Sequence, residues 1–537
     1  MEENMATVSK KQYRQLNKKV SVFNTAGCLA VVLFCFFSFS AGAQDRQQTG
    51  QPAKVRKIEI VNANSTEFDA SLGTDAKRLI GNVIFKHGDA VMYCDSAYYF
   101  SDENVMDAYS HIHIIRNDTL HLYGDFLKYI GNEKLAEVRD NVKLVDNETT
   151  LTTDYLDFNI RENYGYYTNG GDIVSGQNNL RSEKGYYYAN TKTFFFKDSV
   201  VINNPDYDIY SDTLRYNTES KIAWFYGPTE IISDENYIYC ENGWYDTDKD
   251  ISQFNKNAWL KSKDQILRGD SLYYERNTGF GQAFNNVQLR DLKQNVILQG
   301  NFAEYYEEPE SALLTDSAVF MQITDDKEKD TIYVHADTLR SVLDTTGLHK
   351  IIKAYYKVKI FEKDLQGKCD SLAYSFADST IRLYREPVLW SADNQLTAEY
   401  IEIQTKNGNV DKIVMENTAF IISKVDSVRF NQIKGKKMTG YFKDNELSRI
   451  NVDGNGQTIY FARDRNMVVG VNKAESSSLI IYLQDRKIKK INFINKPEAT
   501  LYPPFALEGN DLVLKDFKWY NMYRPLNKRD IFIWKKE

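Results

Sequence analysis

The sequence predicts an all-β repeat protein, a solenoid of stacked antiparallel strand pairs forming two facing sheets. Three observations carry that expectation. The 537 residues include 37 Tyr and 29 Phe against 9 Pro, and aromatic side chains favour the pleated, half-buried surface of a sheet. A short segment (small, acidic, variable, aliphatic, variable, aromatic) recurs about every 29 residues, within the range of repeat architectures. Between its copies, apolar and polar residues alternate, the period of a strand with one buried face. No stretch beyond the N-terminus holds a helical period.

The recurrent segment is clearest at Cys94–Tyr99, Gly124–Tyr129, Thr153–Phe158, Ser211–Tyr216, Gly269–Tyr274 and Cys369–Tyr374. Weaker copies begin at Ser182, Cys240, Gly300, Ala336 and Ala398. Every first position is small, which predicts a tight bend where one unit stacks on the next. Cys94, Cys240 and Cys369 all fall there, so they read as small apolar residues and not as a redox or metal centre. The acids Asp95, Asp125, Asp154, Asp212, Asp270 and Asp370 recur once per unit, which suits a structural role at the bend better than catalysis.

The intervening runs include Val83–Phe85, Val142–Leu144, Val200–Ile202 and Val287–Leu289, expected to pair with their equivalents one repeat away. Ile112 and Ile114 should point to one side, His111 and His113 to the other. Tyr99, Tyr129, Phe158, Tyr187, Tyr216, Tyr245, Tyr274, Tyr305 and Tyr374 hold the aromatic position, and Ala97, Leu127, Leu156, Leu214, Leu272, Leu339 and Leu372 hold the aliphatic position two residues earlier in the unit. Stacked units would align these pairs as one apolar stripe. The stripe is either a filled core or the lining of a groove between partly open sheets, and periodicity does not choose between them.

Residues 1–43 read as a signal peptide: basic Lys10 to Lys19, apolar Ala26 to Phe39, then Ala41-Gly42-Ala43. A retained anchor over Val20 to Ala43 is the rival, weakened by Asn24 and a short apolar core. Losing five basic and two acidic residues takes the formal charge from −7 to −10, which argues against nucleic acid and anionic lipid surfaces. Two β modules are expected, 55–323 and 331–504, joined near the charged run Thr324 to Asp330. The remaining 505–537 forms a tail, either capping an open end or meeting a partner.

No hydrolase, zinc-protease, phosphate-loop or C-x-x-C motif is present, so the chain is not expected to be an enzyme or to carry a cofactor. Asp246 to Asp250 lacks the Gly and Glu of a calcium loop. His111, His113 and His121 form the one histidine cluster, and a solvated strand face accounts for it more simply than a metal.

Gly81-Asn82-Val83, Asp95 to Tyr99, Gly124 to Tyr129 and Asn141-Val142 resemble the OstA/LptA family of lipopolysaccharide-transport proteins. The similarity is clearest from Val55 to Tyr306 and weaker from Ile332 to Pro503. It implies an open-ended β-jellyroll, two sheets in a V with lipid A acyl chains between them, in the periplasm. It also implies pairing with other transport proteins, or with further copies, through edge strands. On that reading the lipid contacts are Val83, Phe85, Ile112, Ile114, Leu127, Val142, Leu144 and Leu156. The chain is much longer than the simple bridge members and lacks room for the outer-membrane barrel of other relatives. The rival classes are a structural or adhesive solenoid with a closed core, and an outer-membrane barrel with longer strands.

Overall fold

The computed structural model describes residues 57–535, apart from 69–74, 235, 294, 324–330, 407–408, 444–445, 465–466 and 485–486. The signal-peptide reading of 1–43 and the run 324–330 lie outside the described residues. All 36 strands hydrogen-bond into one antiparallel ladder, with three short 3-10 turns near the C-terminus. The all-β expectation therefore holds. Among the described residues no helix is long and apolar enough to cross a membrane.

The repeating element is a strand of 11 or 12 residues with a kink near its middle. Ala76–His87, Ala90–Phe100, Val105–Arg116, Leu120–Ile130, Leu135–Asp146 and Thr149–Asn159 follow one another as a meander. Short hairpin turns join neighbours, so Val83 pairs with Cys94 and Val142 with Thr153. The expected pairing with equivalents one repeat away is wrong. A turn of only two to four residues at each strand end makes the next strand in sequence the nearest partner in space.

Register breaks at the kink, between Ile80 and Val83, Tyr109 and Ile112, Arg139 and Val142, and Phe284 and Val287. Both residues inside each break are left-handed: Gly81 and Asn82, Ser110 and His111, Asp140 and Asn141, Asn285 and Asn286. Asn, Asp and Gly tolerate that conformation best. These bulges recur on alternate strands and shift the register with both neighbours, and the ladder folds lengthwise there into two facing halves. The first half holds Ala76–Ile80 paired with Ser96–Phe100 and its continuation along the ladder, and the second holds Val83–His87 paired with Ala90–Cys94.

Opposite each kink sits the small position. Val83 faces Cys94, Ile112 faces Gly124, Val287 faces Gly300 and Val358 faces Cys369. A Cβ on Gly124 would stand 2.4 Å from a methyl carbon of Val138, and on Gly300 2.9 Å from one of Leu314. The bend is too crowded for more than a small side chain. The three thiols are buried and free. Burial pushes those of Cys94 and Cys240 up to about 12, so they stay protonated and unreactive.

The recurring acid has a specific partner: the side chain of the kink on the next strand. Asp95 meets His111 at 2.7 Å, Asn141 donates to Asp125 at 2.6 Å, and Asn257 donates to Glu241 at 2.9 Å. Asn286 donates to both oxygens of Asp270, and Arg385 reaches Asp370 at 3.3 Å.

One apolar core runs between the halves from Ile58 to Ile481. The ladder passes through the interval expected to join two modules: Val319–Ile323 pairs with Thr331–His335, which pairs with Lys350–Phe361. The tail does not cap an end. It runs back over the outer face of the second half. Gln432 bonds Leu512 and Leu514, Gln395 bonds Lys518 and Tyr520, and Lys359 donates to Ile533. Beneath it Ile459, Phe461 and Val471 form a second apolar cluster with Leu507, Leu512 and Leu514.

Candidate functional site

Inward side chains of the two halves define a single interior. On the first half the aromatic stripe lies near the strand ends, and on the second half aliphatic residues face it. Val83, Phe85, Ile112, Ile114, Leu127, Val142, Leu144 and Leu156 all point inward and all are buried in the common core. Between residues 76 and 209 this interior is packed.

Polar contacts close the mouth over that packed stretch. The Tyr99 hydroxyl donates to the Ile58 carbonyl. His87 Nδ1 and the Tyr129 hydroxyl lie 2.7 Å apart, joining second half to first. Arg116 crosses the same way, donating to the Ile160 carbonyl at 2.6 Å and to Asn163 at 2.7 Å. The Tyr187 hydroxyl donates to Asp146. Burial, and for Tyr187 the Asp146 carboxylate, hold the Tyr129 and Tyr187 phenols well above their usual range, so both remain protonated.

Beyond Tyr187 the interior loosens. Tyr99 is 4% exposed, Tyr216, Tyr245 and Tyr274 are half-buried, and Tyr305 is 41% exposed. The facing aliphatics change in step: Leu144 and Leu151 are buried, whereas Ile231, Ile238, Leu260, Leu267 and Leu298 are half-buried. Tyr245 donates at 2.5 Å to Asp250 of its own half instead of crossing the mouth. The row tightens again at Val334 and Ile360. Residues at the kink, such as Cys240, Ala258 and Val287, stay buried throughout. The change is therefore an opening at the mouth with an intact hinge.

Where latched and loosened stretches meet, a cleft of about 790 Å³ lies in the mouth. Asp146, Tyr187, Tyr207, Tyr216, Tyr245 and Arg276 are among the residues that line it. Tyr207 meets Tyr245 edge to face, with ring centroids 6.4 Å apart. The sequence marks Tyr216, Tyr245, Tyr274 and Tyr305 as stripe positions but not as half-exposed. Ile231, Ile238, Leu260, Leu267 and Leu298 go unmarked. Their exposure depends on how far apart the halves stand, and no local pattern carries that distance.

The cluster of His111, His113 and His121 lies outside this interior. His113 Nε2 and His121 Nδ1 are 3.1 Å apart, and His113 stacks on Tyr123 on the outer face. Asp246 is occupied as a turn acceptor from the Asp248 and Lys249 amides and the Lys249 ammonium. Among the described residues no three ligating side chains come together for a metal.

Residues 55–212 match the model of a family described as OstA-like protein. No curated protein matches the chain. Among solved structures, LptH from Pseudomonas aeruginosa, the LptA-homologous periplasmic component of the lipopolysaccharide transport device, overlaps at 10% identity. That overlap takes in 26% of this chain and 96% of LptH, with a TM-score of 0.21. The extracellular domain of the one-component system BT4673 from B. thetaiotaomicron overlaps at 9% identity, over 84% of this chain and 99% of that one, with a TM-score of 0.10. At these TM-scores neither overlap bears on the fold. Residues 55–212 are thus similar to the OstA-like proteins, a match that takes in less than half of the chain.

Proposed function

We propose that this chain holds the acyl chains of a lipid, lipopolysaccharide or one of similar build, between its two half-sheets in the periplasm, and that it carries its cargo without altering it. One observation supports this above the others: between Tyr216 and Phe320 the inward side chains at the mouth, among them Tyr216, Ile231, Leu267 and Leu298, are only partly buried, although Phe225, Leu272 and Val287 deeper in are packed. Apolar surface left facing a slot is costly in water, and each methylene that covers it contributes about 0.8 kcal/mol. Loading starts in this loosened stretch. The eight inward residues from Val83 to Leu156 become contacts only when the mouth above them opens. Strands Glu59–Asn62 and Ser65–Phe68 flank Ala76–His87 and have no second strand partner among the described residues, which leaves an outer edge on which a transport partner, or a second copy, pairs by strand addition.

The packed stretch from 76 to 209 favours a second reading, a closed structural solenoid without a ligand. A photo-crosslinking side chain at Leu267, compared with outward Arg268, separates the two in cells that make the lipid. Labelling at 267 and not at 268 supports the carrier. Equal labelling at both, or none at either, overturns it.

A further inference from the structure

Resting on the lipid reading, we infer that the mouth cleft between Asp146 and Arg276 binds the sugar headgroup of a glycolipid, through its hydroxyls and not through a phosphate. The first argument is position. The cleft stands where the latches end, so a headgroup held there would put its acyl chains beside Ile231 and Ile238, the first half-exposed rungs.

The second argument is chemistry. A sugar offers C–H faces and paired hydroxyls, each both donor and acceptor. Tyrosine rings supply flat apolar surface with a polar tip, and carboxylates and amides supply matched acceptors and donors. The cleft has Tyr187, Tyr207, Tyr216 and Tyr245 among amides such as Asn178 and Asn204. Those two amides are ordered by an Asn204-to-Asn178 bond of 2.8 Å, and the Asp206 amide donates to Asn204. The fixed turn therefore presents Asp206 and Tyr207 to the opening.

The third argument is charge. Five carboxylates line the cleft, Asp146, Glu148, Asp206, Glu219 and Asp250, against the three cations Lys192, Lys221 and Arg276. Lys221 is already paired with Asp248 at 3.3 Å. A phosphate would enter a site of its own sign, while neutral hydroxyls meet no such penalty.

The test measures binding of four probes to the full chain: a diacyl lipid bearing one unphosphorylated hexose, the same lipid without the sugar, the same glycolipid phosphorylated, and the methyl hexoside alone. The glycolipid should bind roughly tenfold tighter than its sugarless counterpart, about the effect of one net hydrogen bond. Tyr207→Ala should erase that advantage. Because Tyr207 also packs on the core, Asp206→Ala at an exposed turn serves as a second variant, with a smaller loss in the same direction. Equal binding of both unphosphorylated lipids overturns this inference and leaves the acyl reading standing. Tighter binding of the phosphorylated lipid also overturns it. If no lipid binds, the acyl reading falls, and the hexoside decides the cleft: binding lost in Asp206→Ala supports a site for free sugar, and no binding removes the site altogether.

Discussion

Asn141, in the left-handed kink of one strand, donates its amide to Asp125 on the preceding strand, sixteen residues earlier, at 2.6 Å. The contact ties a strained backbone position to the bend opposite, and it recurs along the ladder as Asp270 with Asn286 and Glu241 with Asn257. Asn141→Ala should lose both the bond and the tolerance of a positive φ, at about 1–2 kcal/mol. Asn141→Gly should lose the bond alone and cost less. Equal losses in urea denaturation would remove backbone strain from the account.

His111 and His113 should titrate on opposite sides of the ordinary value of 6.5. The hydrogen bond and charge of Asp95 raise His111, and desolvation followed by the neighbouring His121 lowers His113. The His111 contribution is present below 6.5 and is lost as pH rises through its raised value, because the folded state there binds more protons. For His113 the folded state binds fewer, so its contribution holds above 6.5 and is lost as pH falls through its lowered value. Imidazole NMR titrations would show the split. Asp95→Asn should bring His111 down and leave His113 in place.

Tyr187→Phe removes the latch to Asp146 while keeping the buried ring. The expected stability loss is about 1 kcal/mol, with faster amide exchange in the turn from Asp146 to Thr149. Crosslinking from Leu144 should rise if the latch governs access. Unchanged exchange at that turn would show that Tyr187 packs without latching.

Gln395 holds the tail by two bonds, to the Lys518 carbonyl at 2.8 Å and from the Tyr520 amide at 2.7 Å. Gln395→Ala should release this part of the strap and expose Trp390, which is fully buried on the outer face. Limited proteolysis should then cut between 510 and 525 several-fold faster. A cleavage rate equal to that of the unaltered chain would mean that other contacts hold the tail.

Cys94, Cys240 and Cys369 should resist alkylation at pH 8 in the folded protein and react once it is denatured, because burial keeps them as thiols. Replacement by Ala or Ser should cost little, whereas Gly124→Val should cost several-fold more through its contact with Val138. Rapid labelling of any of the three in the native state would refute the structural reading of that site.

Much of the ladder was legible because its signals are local. A small residue before an acid marks the bend at Cys94 or Gly124, and alternation gives the inward parity of Ile112 and Ile114. The pairing partner of Val83 was misread because a repeat period says how often a unit returns, and hairpin length says which strand lies beside it. The two sheets proved to be halves of one ladder, since the kink residues Asp140 and Asn141 look in sequence like an ordinary turn. The covered outer face around Gln395 and Gln432 depends on a tail 80 or more residues farther along, a contact that no window of sequence contains. Openness at Leu267 and closure at Leu144 are set by the distance between halves, which identical inward parity leaves undetermined.

The uninterrupted ladder has a consequence for reach. A conduit assembled from separate copies grows and shrinks with protein concentration, and any joint opens on dilution. Here every rung from Glu59–Asn62 to Glu498–Tyr502 lies on one covalent thread, and each added strand extends the stack by about 4.8 Å. The length of each copy is therefore written in the gene, the same in a crowded cell and a starved one. Insertion or deletion of whole 29-residue units, with the hinge spacing kept, should lengthen or shorten it in discrete steps.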